Sequence, residues 1–408
     1  MNLENFLEKS IQKTMTKVLI LDGFWRKSLS ALRSLQSANL ICIVESDEIL
    51  SATFVSHLTK GRIKTTKKNR WKKINQFLEN EFHKSKGEKT ILIPMEDMTM
   101  KWVIENQRYL KKYADFLVPS LESYLIADDK LTLMDFAECL NIPHPKSYKF
   151  SMDLFENSLF MTDGGILETK SQWVVKPRIS SGSRGVVFID GSSYLNYDFA
   201  LHESKYGELL VQQRIPRDGT TVGVCLLYNA EHSCILEFSY ERVYEYPITG
   251  GPSTQRISMK NDELINRSIR ILDALNWTGV AMIEWKFDDR ANDFLLLEIN
   301  PRFWGSLDLS YKAGVNFPEA YVQTLIGNNS LQTDAFKVGV KSRWLIPGDL
   351  LRYLSTKRRN REGIKKFLKG ALSESEEFSS KDLLGSFASI LFPILLACRP
   401  KYWKFLRR

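Results

Sequence analysis

Glu284 and Glu298 each interrupt an apolar run, Val280-Ala-Met-Ile-Glu-Trp-Lys-Phe287 and Phe294-Leu-Leu-Leu-Glu-Ile-Asn300. The polar stretch Asp288–Asp293 between them reads as a turn, so the two runs form a β-hairpin that brings the carboxylates together. A carboxylate among apolar strand residues is costly to ionise unless a cation pairs with it. Asn300 stands two residues beyond Glu298 and shares its strand face. Three such oxygen donors suit Mg²⁺, with Mn²⁺ as a substitute, bridging phosphate groups. Arg302, just past Pro301, is a candidate to stabilise charge on a transferred phosphoryl group. Structural pairing of the acids with Lys or Arg would account for the same residues without any chemistry.

A second cluster surrounds Lys176, near the end of the strand-like run Gln172–Pro177. The loop that follows contains Ser181, Gly182, Ser183, Arg184 and Gly185. Its small residues let backbone N–H groups approach phosphate oxygens, and Lys176 adds a point charge. A plain turn between strands has the same composition. The chain lacks the Gly-Lys-Ser/Thr ending of a P-loop after this strand, so that fold does not follow.

These residues need a scaffold, and the pattern supplies one. Lys17–Asp22, Leu40–Val44, Thr90–Pro94 and Asp115–Pro119 are short apolar runs separated by helical periodicity, the mark of a small open α/β sheet. No Gly-x-Gly-x-x-Gly follows the first run, which argues against a dinucleotide site there. The basic segment Lys60–Lys73 is followed closely by acidic residues and reads as a solvated loop and helix start. Asp128-Asp129-Lys130 opens a helix that ends near Asn141, and strands dominate from Gln172 to Asn300.

Lys130, Val174-Val-Lys-Pro177, the Ser/Gly loop, Leu210-Val-Gln-Gln-Arg-Ile215 and Leu297-Glu-Ile-Asn-Pro-Arg302 follow one another in an order that resembles the ATP-grasp superfamily. The resemblance is to its carbamoyl-phosphate-synthase-like, carboxylate–amine ligase branch and covers residues 16–330. It implies an α/β and α+β chain. A Rossmann-like pre-ATP-grasp domain (16–125) precedes a two-subdomain ATP-grasp domain (126–330) with a lid at 145–205, and a helical basic extension follows (331–408). The implied reaction uses ATP and Mg²⁺ to convert a carboxylate to an acyl phosphate, which an amine then attacks. Carried over by position, Lys130 and Lys176 meet the nucleotide phosphates, and Gln212, Gln213 and Ile215 form the hinge that receives adenine. Asp218 is the nearest candidate for the ribose. Glu284, Glu298 and Asn300 hold the metal, and Arg302 faces the γ-phosphate. The segment Tyr240–Thr254 resembles an acceptor-pocket loop, which assigns Arg242, Glu245, Gly250, Gly251, Ser253 and Thr254 to substrate. An ordinary hairpin loop would also fit. The hinge has Gln213 where the family often has an acid, and Tyr240 and Glu241 stand where relatives often have basic residues. Two other readings stay open: carbamoyl-phosphate-type or kinase-like phosphorylation, and a non-catalytic nucleotide-binding adaptor at a membrane.

The chain has 408 residues, a hydrophobic fraction of 43% and a formal net charge of +9. The excess lies at one end. Lys341–Arg408 holds 16 Lys/Arg against 6 Asp/Glu, and the preceding 340 residues hold 41 against 42. Nucleic acid is therefore not the expected partner. The expected partners are small carboxylate and amine substrates, with a homo-oligomer compatible. Leu383–Cys398 is uncharged but contains Pro393 and falls short of the ~20 residues a span needs. With the basic and aromatic residues after it, the segment through Arg408 either packs on the body or touches a membrane peripherally. Five scattered Cys and no apparent signal peptide point to reduced thiols in the cytoplasm, possible contact being with the inner membrane face. The five His residues lie outside the motifs and read as surface or packing residues.

Overall fold

The computed structural model describes residues 15–36, 39–151, 161–162, 165–166, 173–180, 182, 184–189, 197–216, 218–248, 250–328, 335–356 and 363–397. The chain divides into two compact units, Met1–Val118 with Arg302–Arg408, and Pro119–Pro301.

In the first unit, β1 (Thr16–Ile20), β2 (Leu40–Ser46), β3 (Gly61–Lys64), β4 (Thr90–Ile93) and β5 (Ala114–Asp115) form a parallel sheet in the order β3-β2-β1-β4-β5. Helices cover a parallel sheet on both faces, so its strands are continuous apolar runs rather than alternating ones. Val18, Leu19, Ile20 and Leu21 accordingly lose all exposure. The basic segment is solvated as expected at Lys60, Arg62, Lys64, Lys67, Lys68, Lys72 and Lys73, and a helix starts at Arg70, but two features differ from a plain loop. Gly61–Lys64 pairs with β2 as a strand. Arg70 is buried between Asp22 and Glu45, at 2.5 and 2.7 Å. Two buried carboxylates require a buried cation, and Arg70 supplies it.

The C-terminal residues fold into this same unit. Arg33, buried in the helix Arg26–Ser34, donates to Asp382 Oδ2 (3.0 Å), to the carbonyls of Glu376 and Glu377, and to Ser386 Oγ. Ser56 Oγ donates to the other Asp382 oxygen at 2.9 Å. The acidic run Glu374–Glu377 contains a buried pair: Glu376 bonds Arg26, and Glu377 accepts the Leu345 and Ile346 amides. Burial, with Glu376 beside it, pushes Glu377 up to about 7.

The second unit holds two larger antiparallel sheets and a small one. β6 (Ser147–Lys149), β9 (Trp173–Pro177), β10 (Val187–Ile189) and β11 (Leu209–Gln213) form the first, in the order β10-β9-β11-β6. The pair β7 (Met161–Thr162) and β8 (Gly165–Ile166) stands apart from it. In the second large sheet, β12 (Thr221–Tyr228), β13 (Cys234–Glu245), β14 (Ser253–Ser258), β15 (Gly279–Asp288) and β16 (Asp293–Asn300) run in the order β16-β15-β12-β13-β14.

Strand alternation gives that second sheet two different faces. Val222, Val224, Leu226, Ala281, Ile283, Trp285 and Ile299 point into a core shared with Leu133 and Met134 of the helix Lys130–Cys139 and Ile271 and Leu272 of the helix Asp262–Ala274. The intervening residues, Gly223, Glu284, Lys286, Glu298, Asn300 and Arg242, lie on the other face. Burying the apolar face stabilises the sheet by roughly 25 cal/mol per Å², and its period of two fixes which side carries the charges.

Candidate functional site

Glu284 and Glu298 are direct cross-strand partners, and Met282 opposes Asn300 in the next pair. A register shift just beyond Glu284 leaves the pairing of the two acids intact. Asn300 Nδ2 donates to Glu298 Oε1 at 3.1 Å. Arg242 on β13 reaches Glu284 Oε1. Gly223 lies between Glu284 and Tyr240 in the register. A Cβ there would sit 2.5 Å from Tyr240 Cε1, so only glycine leaves the Tyr240 ring in place.

Two lysines approach the acids within this unit. The helix Lys130–Cys139 is capped by Asp129, whose Oδ1 accepts the Leu131 and Thr132 amides. Arg178 grips the same carboxylate, at 2.6 Å from Oδ2, and the Lys130 amide donates to the Arg178 carbonyl. Lys130 Nζ is thereby positioned 2.6 Å from the Ser180 carbonyl and 3.6 Å from Glu298 Oε2. Lys176 is carried on β9, opposite Leu210 of β11. Burial and the charge of Lys130 lower Lys176 to about 8, against the opposing pull of Glu298 and Glu284. Burial alone would raise Glu298. Lys130, Lys176, the Asn300 bond and Arg242 outweigh it and hold that carboxyl below the usual range.

The remaining expected residues are placed as follows. Gly182 and Gly185 of the loop have φ of +64° and +74°, and a Cβ on Gly185 would press on Pro177 Cγ at 2.8 Å. Arg184 is exposed, and Ser181 and Ser183 lie outside the described residues. Gln212 is buried, and its amide donates to Ser147 Oγ at 2.8 Å. The Gln213 amide N–H donates to the Lys146 carbonyl, and Ile215 is buried. Asp218 is exposed in a turn and acts electrostatically on Lys286. Glu245 acts on both Lys286 and Arg242.

Gly250 has φ +123°, and a Cβ on Gly251 would lie 2.2 Å from the Tyr246 carbonyl oxygen, so both positions require glycine. Ser253 and Thr254 are buried, and Ser253 Oγ donates to the Gln255 carbonyl at 2.9 Å. Arg302 belongs to the other unit, where its Nε pairs with Asp97 at 2.5 Å.

Several contributing residues had no motif to reveal them. Arg256 is buried opposite Arg242, and Lys286 is two residues from Glu284 on the same face. Strand alternation would have flagged Lys286. His202, read as packing, holds the end of the Ser/Gly loop through Nε2 and the Gly185 carbonyl, 2.8 Å apart.

Comparison with known proteins bears on this arrangement. Residues 242–346 match the model of a family described as ATP-grasp in the biosynthetic pathway with Ter operon. The chain is 22% identical over 291 residues to a D-aspartate ligase of Enterococcus faecium (strain Aus0004), covering 65% of this chain and 68% of that protein. The fold superposes on the biotin carboxylase domain of Hydrogenobacter thermophilus 2-oxoglutarate carboxylase, solved with MgADP, ADP and bicarbonate. The TM-score there is 0.63 at 12% identity, over 80% of this chain and 74% of that one. The chain shares the fold of that domain, and its residues 242–346 match an ATP-grasp family. A Staphylococcus aureus N5-carboxyaminoimidazole synthetase gives a TM-score of 0.59 at 14% identity, over 80% and 81% of the two chains.

The two larger antiparallel sheets of the second unit carry the nucleotide and metal candidates, Lys176 on one and the glutamates on the other. The donor set fits Mg²⁺: two carboxylates and an amide converge on one sheet face, all offering hard oxygens. Arg242 now occupies Glu284 Oε1, so a cation there would share or displace that bond.

Proposed function

We propose that the chain is an ATP- and Mg²⁺-dependent ligase that activates a carboxylate as an acyl phosphate for attack by an amine. The observation that carries this reading is the cross-strand pairing of Glu284 with Glu298, with Lys130 3.6 Å from Glu298. Lys176 is depressed because it lies buried near a second lysine. A polyanion between the two would relieve their repulsion, and a nucleotide phosphate is such a polyanion. Glu284, Glu298 and Asn300 would hold the cation, whose chemistry is to neutralise charge on the phosphate oxygens.

The carboxylate oxygen attacks the γ-phosphorus and ADP leaves. The amine nitrogen then attacks the acyl carbon, phosphate leaves and the nitrogen loses a proton. The protein supplies placement and charge rather than a covalent group. Lys130 and Lys176 orient the phosphates. The likeness to a D-aspartate ligase supports an amino acid as one of the two substrates. The likeness to a carboxylase domain solved with MgADP supports the nucleotide and the metal.

The test is ADP release by the full chain against pooled carboxylates and amines. Substrate-dependent release that Glu298→Gln abolishes while the fold survives is the expected result; undiminished turnover overturns the metal assignment. Hydroxylamine-trapped acyl groups without any amine product would favour kinase-like phosphorylation instead.

A further inference from the structure

The helix Leu383–Ala397 contains no charged residue. One side is small and turned inward. Gly385, Ser386 and Ala388 are buried, and a Cβ at Gly385 would meet Asp382 Oδ2 at 2.1 Å. The other side is apolar and exposed: Leu383 63%, Leu384 56%, Phe387 65%, Ile394 51% and Leu395 42%. Their spacing of three, four and seven residues traces a stripe along the helix. Uncharged apolar helix surface of this kind marks a contact site rather than a solvated face.

The sequence beyond the helix, Cys398-Arg-Pro-Lys-Tyr-Trp-Lys-Phe-Leu-Arg-Arg408, carries five cations, no acid and three aromatics. A second copy of the chain would bring the same cations to the contact and be repelled. An anionic surface complements them. Among the described residues, no helix is long and apolar enough to cross a membrane. An apolar stripe followed by basic and aromatic residues suits a helix lying in the headgroup boundary, with Lys and Arg near lipid phosphates.

We propose that the exposed stripe of Leu383–Ala397, with the basic sequence after it, docks this protein on an anionic phospholipid surface. This stands independently of the ligase reading, because it uses none of the Lys, Glu and Asn residues described above.

The experiment is flotation of the full chain with vesicles of phosphatidylcholine containing about 30% phosphatidylserine, and with phosphatidylcholine alone. The expected result is binding to the anionic vesicles that weakens as salt rises from ~0.1 M to ~0.5 M, with little binding to neutral ones. Phe387→Asp with Ile394→Asp alters only exposed side chains and should lower binding at least about tenfold with an unchanged melting temperature. Lys401→Glu with Lys404→Glu should also lower it. No binding by the wild-type chain, or equal binding by the Phe387→Asp/Ile394→Asp variant, overturns the proposal. A dimer that this variant dissolves, without vesicle binding, overturns it in favour of a second copy.

Discussion

Glu284 and Glu298 face each other across one antiparallel pair, and Arg242 from a strand two places away reaches across β12 to bond Glu284. Three elements of chain thus converge on one carboxylate pair. Two acids this close would repel, and Lys130, Lys176 and Arg242 supply the compensating charge.

Replacing Glu298 by Gln keeps the side chain's shape and removes its charge. On the proposed reading Glu298 is a metal ligand, so steady-state kinetics should show loss of ADP release of about 100-fold or more, a direct ligand mattering more than its supporting shell. Glu284→Gln should behave alike. Normal rates in both variants would move the metal elsewhere.

Gly223→Ala places a methyl against the Tyr240 ring, 2.5 Å from Cε1. Overpacking of this kind costs ~1–3 kcal/mol, so the urea midpoint should fall. Removing the ring's bulk in Gly223→Ala/Tyr240→Leu should restore part of the loss, and no recovery would locate the clash outside this pair.

Lys176 is held down at about 8 by burial and by Lys130. It is cationic below that pH and neutral above it, so on the proposed reading, with Lys176 at the nucleotide phosphates, KM for ATP should rise as pH climbs past 8. Lys176→Arg stays charged and should flatten the profile. Between pH 8 and the ordinary value of 10.5 the folded chain binds fewer protons here than the unfolded one. This residue's contribution to stability therefore rises with pH across that window.

Asp382 is fully buried and accepts from Arg33 and Ser56. Asp382→Ala strands the Arg33 guanidinium without its carboxylate and should cost about 3–5 kcal/mol, read from urea denaturation. Arg33→Met/Asp382→Leu removes both charges and should lie well above the single variant. Equal losses in the two would mean that the pair is uncoupled.

Much of this protein is legible in its sequence because strand chemistry is local. The apolar runs around Glu284 and Glu298, and the polar turn between them, already specify a hairpin with the acids on one face. The run Lys17–Asp22 likewise specifies the first strand of the parallel sheet, within a residue or two. Charge partners are not local. Arg70 looks solvated in a basic stretch, yet it neutralises Asp22 and Glu45 across 48 and 25 residues. Glu376 and Glu377 stand in an acidic run with no partner nearby in sequence, yet they are buried in the unit that Arg26 and Arg33 belong to. Periodicity reports which side of an element is apolar. Only the folded chain decides which cation meets which acid, because that depends on distances between segments far apart in sequence. The acids were thus determined by the sequence alone, and the residues that hold their charge were decided by the tertiary structure.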